Sequence, residues 1–409
     1  MNDPRAFLLQ LFQTAVAAAS DFSGIADHIP EVTGRLHVIG AGKAAAAMAL
    51  ALERGLPERG RVERLSGFVV VPDGHDLPLA DLEVLCASHP TPDARSEVAG
   101  RRAMAEAGAL GADDLLIALI SGGGSSLLAA PSEGVSLTNK TTTTRLLLNA
   151  GQPIAVVNAV RARLSAIKGG GLAQAAWPAR VVTFVLSDVP GDDPAIVASG
   201  PTLGAAMTVP ALPDDVMGLL PPPVQAHLAE HSAARSDLNR DVKILATADG
   251  ALAAAASAAE AIGVHVLNLG GALQGDAVTL AREHAELARF YDGPRPAIIL
   301  SGGETTVRVV GPGRGGRNTE YLLALAIALE GQPGIFAIAA DTDGWDGAGP
   351  AAGAILDPTT VERSQRAGYD AILTLAANDS LSLFEALGDA VLTGPTRTNV
   401  NDFRAIILL

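Results

Sequence analysis

Runs of apolar residues alternate along the chain with Ala-rich stretches of helical spacing. Strands are predicted at 35–40 (RLHVIG), at 67–72 (GFVVVP), within 114–126 (DLLIALISGGGSS) and within 180–193 (RVVTFVLSDVPGDD). Further strands are predicted at 242–247, at 265–270, within 296–306 (PAIILSGGETT) and within 334–347 (GIFAIAADTDGWDG). These runs are apolar at successive positions rather than at alternate ones, which predicts strands covered on both faces, as in parallel sheets. Helices at 248–262 and 317–330 complete strand–helix–strand units, and 128–180 reads as mainly helical. Near the start, Phe7, Leu8, Leu11 and Phe12 fall on one side of an amphipathic helix. The expected fold class is α/β, with two domains, each a mainly parallel sheet flanked by helices. A shift to proline and polar residues at 203–240, without β runs, divides the chain into domains at 1–235 and 240–409.

Composition narrows the picture. A length of 409 residues suits two to three domains, and 48% hydrophobic residues with only 3% aromatics predict a core of Ala, Val, Leu and Ile. A net charge of −15 argues against a nucleic-acid partner, which needs a basic face. The single cysteine, Cys86, gives neither an intrachain disulfide nor a thiolate zinc cluster. The N-terminus carries an acid and a proline in place of a basic n-region, and no uncharged apolar run reaches membrane-spanning length. A cytoplasmic protein without a membrane partner, monomeric or homodimeric, is expected. Lysine is scarce: Lys43, Lys140, Lys168 and Lys243 stand against 25 arginines.

Candidate chemistry gathers where predicted strands end. Ser121, Gly122, Gly123, Gly124 and Ser125 form a glycine loop whose N–H groups and hydroxyls can cradle an anion, with a helix beginning near Ser125; a tight strand-to-helix turn is the plainer reading. Ser301, Gly302, Gly303 and Glu304 repeat the pattern in the second half. In VIGAGKAAAA (38–47), Gly40, Gly42 and Ala45 match the dinucleotide fingerprint, but the acid expected about 20 residues on is poorly placed, since Glu63 precedes the next strand. Lys43 stands at a helix start, where a cation opposes the dipole unless an anion joins it. No Walker-type P-loop is present. Carboxylates cluster at Asp188, Asp192, Asp193 and at Asp341, Asp343, Asp346. Beside anion loops they suit Mg²⁺, although Asp-Gly is also ordinary turn chemistry. Arg314 and Arg317 lie in a glycine-rich loop suited to phosphate or carboxylate. Lys168 precedes three glycines and has a helix-capping alternative. Asn399 and Asn401, in a loop before a closing strand FRAIILL (403–409), line a cleft or make turns. HLAEH (227–231) fits a zinc-peptidase pattern but lacks an evident third ligand, and no G-x-S-x-G elbow is present.

Taken together, GAGKA (40–44), ISGGGSSLL (120–128), LSAIKGGGLA (164–173), LSDVPGDDPAIVASGPT (186–202), LSGGETTV (300–307), GRGGRNTEYLLALA (313–326), DTDGWDGAGPAAGAI (341–355) and TGPTRTNVNDF (393–403) resemble the glycerate 2-kinases with a C-terminal MOFRL domain, a family sometimes labelled hydroxypyruvate reductases. The resemblance implies a Rossmann-like N-terminal domain, a MOFRL-type C-terminal domain and an active site in the interdomain cleft. It also implies ATP-dependent phosphorylation of D-glycerate to 2-phosphoglycerate with a divalent metal, Mg²⁺. The family's active-site lysine and arginine fall on Lys43 and Arg317, expected at the transferring phosphoryl group or the glycerate carboxylate. Asp188, then Asp192, is expected to orient or deprotonate the 2-hydroxyl. The two Ser-Gly-Gly segments, with Lys168, Arg314, Asn318 and Asn399, are expected to hold substrate and phosphate. Asp188, Asp193, Asp341, Asp343 and Asp346 are the candidate metal ligands. Residues 348–350 read Ala-Gly-Pro where the family commonly carries Pro-Thr-Asp. The rival readings are an NAD(P)H-dependent hydroxypyruvate reductase and a non-catalytic phosphometabolite sensor.

Overall fold

A computed structural model describes residues 3–60, 65–204, 212–230, 241–347 and 349–409. Glu63, His231, Ala348 and two parts of the expected linker, 205–211 and 231–240, lie outside the described residues. The chain divides into two compact units. One holds Phe22–Ser187 and Asp193–Leu245; the other holds Ala246–Leu409 together with Met1–Asp21 and Asp188–Asp192.

The expected first domain, 1–235, is therefore not a contiguous block. The helix Pro4–Ala19, capped by Asp3, buries Leu8, Leu11, Phe12, Ala15 and Ala19. That face packs on the unit formed by the C-terminal residues: the Phe12 ring lies 5.9 Å from that of Phe403, and Thr398 Oγ1 donates to the Ala19 carbonyl at 2.7 Å. Each buried Leu or Phe is worth about 2 kcal/mol, which ties the first turns of the chain to its last strand.

In the unit containing Phe22–Ser187, β1 (Leu36–Ala41), β2 (Leu65–Pro72), β3 (Glu83–Ala87), β4 (Leu115–Ile120), β5 (Arg180–Leu186) and β6 (Val242–Ala246) form one sheet. Their order is β3-β2-β1-β4-β5-β6, and the pairings from β3 to β5 are parallel. This is the doubly wound order, in which the chain reverses its direction of travel across the sheet between β1 and β4. The two strands end level, with Ala41 opposite Ile120. Val38, Ile39, Leu116, Ile117 and Ala118 are fully buried, as strands covered on both faces require. The helical content expected over 128–180 is present as Leu137–Asn149, Ile154–Arg163 and Gly171–Ala176. The first two share a small core of their own with Asp214–Leu219 and Pro222–Glu230.

The other unit contains β7 (His265–Asn268), β8 (Leu273–Asp276), β9 (Ala297–Thr306), β10 (Ile335–Asp341), β11 (Gly353–Leu356), β12 (Ala390–Val391) and β13 (Asp402–Leu408). Its order is β12-β11-β10-β13-β9-β7, with β8 also on β9. Here the expectation of a mainly parallel sheet fails. Only β7 and β8 run parallel to β9, whereas β13 is antiparallel to both β9 and β10, and β11 is antiparallel to β10 and β12. The closing strand enters the middle of the sheet, with helices Ala277–Arg289 and Arg317–Leu329 packed on one face. Burial on both faces gives the same unbroken apolar run in either direction, so the pattern could not report orientation. No helix among the described residues is long and apolar enough to cross a membrane.

Candidate active site

Each unit carries one constellation. In the doubly wound unit it lies at the C-terminal ends of β1 and β4, where open α/β sheets bind ligands. The loops leaving the two strands are stitched together. Lys43 N donates to the Gly122 carbonyl at 2.9 Å, Ser121 N to the Ala41 carbonyl at 3.0 Å, and Ala44 N to Ser121 Oγ at 3.0 Å. Gly42 has φ +129°, and a Cβ there would stand 2.1 Å from Ser121 Oγ, so the contact tolerates only glycine. Half-buried Lys43 is thereby fixed just before the helix Ala45–Glu58. Gly122, Gly123 and Gly124 continue the second loop, but the helix that follows is one turn, Gly124–Leu127, so its dipole adds little.

Lys168 is buried and donates to Ser125 Oγ, which also accepts from Arg161 Nη2 at 3.1 Å. This places Lys168 at the glycine loop rather than on a helix end. His89, whose ring packs against Gly123 and whose Nδ1 lies 2.9 Å from Ser126 Oγ, belongs to the same surroundings. Nothing in the sequence marked His89 or Arg161, because neither sits in a glycine-rich or charged motif.

In the other unit the constellation centres on Arg317, the first residue of its helix. Its Nε donates to Asp402 Oδ1 at 2.7 Å, Nη2 to Asp341 Oδ2 at 2.6 Å and Nη1 to Glu304 Oε1 at 3.1 Å. Burial opposes its charge, but the charges of Asp402 and Asp341 outweigh that and hold its pKa above the usual arginine range. Three of its five N–H groups are used, and two remain for a ligand. Asp402 is itself gripped by Arg404 and by Asn318 Nδ2, the latter at 2.7 Å. Asp402 and Arg404 were not singled out in the sequence, because they lie inside an apolar closing strand.

Several expected site residues have other duties. Ser301, Gly302 and Gly303 do not form a loop but lie within β9; Gly303 has φ +113°, and a Cβ there would stand 2.1 Å from the Leu273 carbonyl of β8. These glycines admit a neighbouring strand, not a phosphate. Arg314 is an exposed residue paired with Glu385 at 2.9 and 3.2 Å, not a site arginine. Asp346, expected as a metal ligand, has another set of partners. Its carboxylate accepts from Asn318 N, Thr319 N and Thr319 Oγ1 at 2.8–2.9 Å, closing the start of the Arg317 helix. Asp193 is exposed and caps its own turn through Ala195 N at 2.9 Å. Asp343, buried, accepts from Trp345 N at 2.8 Å, and its own N–H donates to Asp341 Oδ1 at 3.0 Å.

Asn399 Oδ1 accepts from Asn401 N at 3.2 Å, and Asn401 Nδ2 donates to the Asp188 carbonyl at 2.6 Å, which ties the Asp188–Asp192 segment to the loop before β13. Asp192 has φ +54° within that segment. His227 Nε2 lies 3.0 Å from the Arg163 carbonyl, a structural contact. Among the described residues, no group of three or more His, Cys, Asp or Glu side chains is gathered to hold a metal. Magnesium is commonly held by one or two carboxylates plus substrate phosphates, so the buried oxygen donors of Asp341 and Asp343 fit that lighter form of binding only.

A doubly wound domain followed by a mixed sheet, with these loops, defines a class. Residues 7–217 match DUF4147, a domain of unknown function, and residues 297–402 match the MOFRL family. The chain belongs to the glycerate 2-kinase family with a C-terminal MOFRL domain, some members of which carry the name hydroxypyruvate reductase. It is 45% identical to a putative hydroxypyruvate reductase of Agrobacterium vitis over 99% of this chain and 94% of that one. It is 34% identical to the D-glycerate 2-kinase of Thermotoga maritima over 98% of each. The crystal structure of the Thermotoga maritima glycerate kinase superposes with a TM-score of 0.86 at 32% identity, covering 100% of both chains.

Proposed function

We propose that the protein is an ATP-dependent glycerate 2-kinase that transfers a phosphoryl group to the 2-hydroxyl of D-glycerate. The observation that carries this reading is the fixed placement of Lys43 by the stitched loops of β1 and β4. Phosphoryl transfer needs positioned positive charge more than covalent help from the protein. Lys43 supplies a point charge to the transferring phosphoryl group. Arg317, clamped by Asp341 and Asp402, offers two N–H groups to the glycerate carboxylate or to that phosphoryl group. Asp188, with Asp192 as second choice, orients the 2-hydroxyl and takes its proton, and Asn401 positions the Asp188 segment through its carbonyl. Asp341 and Asp343 would hold Mg²⁺, which when bound neutralises charge on the nucleotide's phosphates. A cytoplasmic location fits these substrates.

The reductase reading draws on the names of relatives and on Gly40, Gly42 and Ala45. Against it, the acid at the end of β2, Asp73, has its two oxygens on the Arg95 guanidinium at 2.7 and 2.9 Å and is not offered to a ribose. The readings separate in one experiment. Purified protein with D-glycerate, Mg²⁺ and ATP should release ADP; oxidation of NADH by hydroxypyruvate, without ADP release in the first mixture, would overturn the proposal.

A further inference from the structure

Beside Ser125 in the doubly wound unit is a cavity of about 300 Å³, within the lower range of small-ligand sites. Its wall carries four cations: Lys140 and Arg145 from the helix Leu137–Asn149, Arg161 from the helix Ile154–Arg163, and Lys168. Among the described residues, no carboxylate lines it. Lys140 and Lys168 are buried, and Arg145 is exposed at the rim. Among the described residues Lys140, Arg145 and Arg161 form no ion pair, and Lys140 Nζ has no hydrogen-bond partner either. Arg161 is held in place by Asn158 Oδ1 at 3.1 Å and by Ser125 Oγ.

Burying cations without an opposing charge is costly, and the usual relief is a shifted proton equilibrium or a bound counterion. The first is visible. Burial, with the charge of Arg161 behind it, pushes Lys140 down to about 8, and burial pushes Lys168 well below the lysine range. A built concentration of positive charge beside serine hydroxyls, opposed at Lys140 by the charge of Glu97 but not outweighed by it, is explained by an anion that enters from outside.

We propose that this cavity seats a phosphate chain, and that Lys140, Arg145, Arg161 and Lys168, with Ser125, place the nucleotide's polyphosphate on the doubly wound unit. The charge count favours this occupant. Four basic side chains, of which Lys140 and Lys168 regain their protons as an anion enters, suit a triphosphate, whereas a monocarboxylate such as glycerate would engage only one of them. Arginine forks and lysine point charges together are the donors phosphates usually meet. This assignment rests on the kinase reading and deepens it by naming which unit takes the nucleotide and through which residues.

The test is calorimetric titration of wild type, Lys140→Met and Arg145→Gln with ATP, inorganic phosphate and D-glycerate in separate arms. ATP affinity should fall at least about tenfold in Lys140→Met and several-fold in Arg145→Gln, while D-glycerate affinity stays unchanged. Inorganic phosphate should bind wild type more weakly than ATP and compete with it. Without ligand, Lys140→Met should melt at or above the wild-type temperature, because a buried, unpaired charge has been removed; a clearly lower melting temperature contradicts that argument. Unchanged ATP affinity in both variants, or loss of D-glycerate in place of ATP, overturns the assignment. Inorganic phosphate binding as tightly as ATP overturns the nucleotide as the source of the phosphate chain. A wild type that binds no ATP defeats the kinase reading itself, whereas a wild type that binds ATP with insensitive variants defeats only this pocket.

Discussion

Lys43 is held in place by its main chain. Its N–H bonds Gly122, its neighbour Ala44 bonds Ser121, and the side chain is left half-buried at the ends of two parallel strands. Lys43→Ala should therefore lower turnover about a hundredfold or more while leaving the melting temperature within a degree or two of wild type. Steady-state assay and thermal unfolding of the same preparation check both halves, and near-normal turnover would remove Lys43 from the mechanism. The strand-end placement of Lys43 was legible because it interrupts a glycine motif. Arg314 and Arg317 show the limit of such reading. They lie three residues apart in one glycine-rich loop, yet Glu385 takes the first while Asp341 and Asp402 clamp the second. Only tertiary partners separate them. Lys140 and Arg161 were obscured in the same way, since a polar threonine-rich helix and an ordinary helix end give no hint that their charges line one cavity beside Ser125.

A buried histidine provides a pH test at the same scale. His284 Nδ1 lies 2.7 Å from the Tyr321 hydroxyl, and burial, then the nearby Arg404 charge, pushes its pKa from 6.5 down to about 4. Below about pH 6.5 the unfolded chain takes up a proton that the folded chain refuses until about pH 4. Stability therefore falls as pH drops through that window, by about 2 kcal/mol between pH 7 and pH 5 from this group. Urea unfolding at the two pH values should show this slope in wild type and a flatter one in His284→Gln. Equal slopes would contradict the assignment.

At the scale of elements, one short sequence serves two purposes. Ser121-Gly122-Gly123 leaves β4 as a loop, but Ser301-Gly302-Gly303 stays inside β9 because β8 docks against Gly303. Local sequence is the same; the presence of a second strand decides. The strands themselves were legible from their apolar runs, whereas β3, β8, β11 and β12, which are short or partly exposed, were not. The direction of β13 was hidden for the reason that made the strands visible: burial on both faces removes any alternation. The junction of β1 and β4 is the element-scale device most open to test. Gly42→Ala forces a Cβ to 2.1 Å from Ser121 Oγ at φ +129°. It should cost roughly 3 kcal/mol or more and should abolish turnover by displacing Lys43. Denaturant unfolding and assay together check this; an unchanged midpoint would show that the stitched loops are loose.

At the scale of the whole molecule, two short stretches leave their sequence neighbours. The helix Pro4–Ala19 and the segment Asp188–Asp192 join the unit built from the C-terminal residues. Composition could locate the polar stretch between 203 and 240 but could not show this exchange, because burial of Leu8, Leu11 and Phe12 needs the distant Phe403 face. The exchange matters for chemistry: it puts Asp188 in the same unit as Arg317 and Asn401, so the proposed proton acceptor and the arginine proposed to hold an anion share one framework. The central claim is the position at which phosphate is added, and the most direct measurement is the product. Phosphorus and proton NMR of D-glycerate incubated with ATP, Mg²⁺ and the purified protein should show 2-phosphoglycerate and ADP in equal amounts. A product phosphorylated at the 3-hydroxyl, or unchanged glycerate beside intact ATP, would contradict the account.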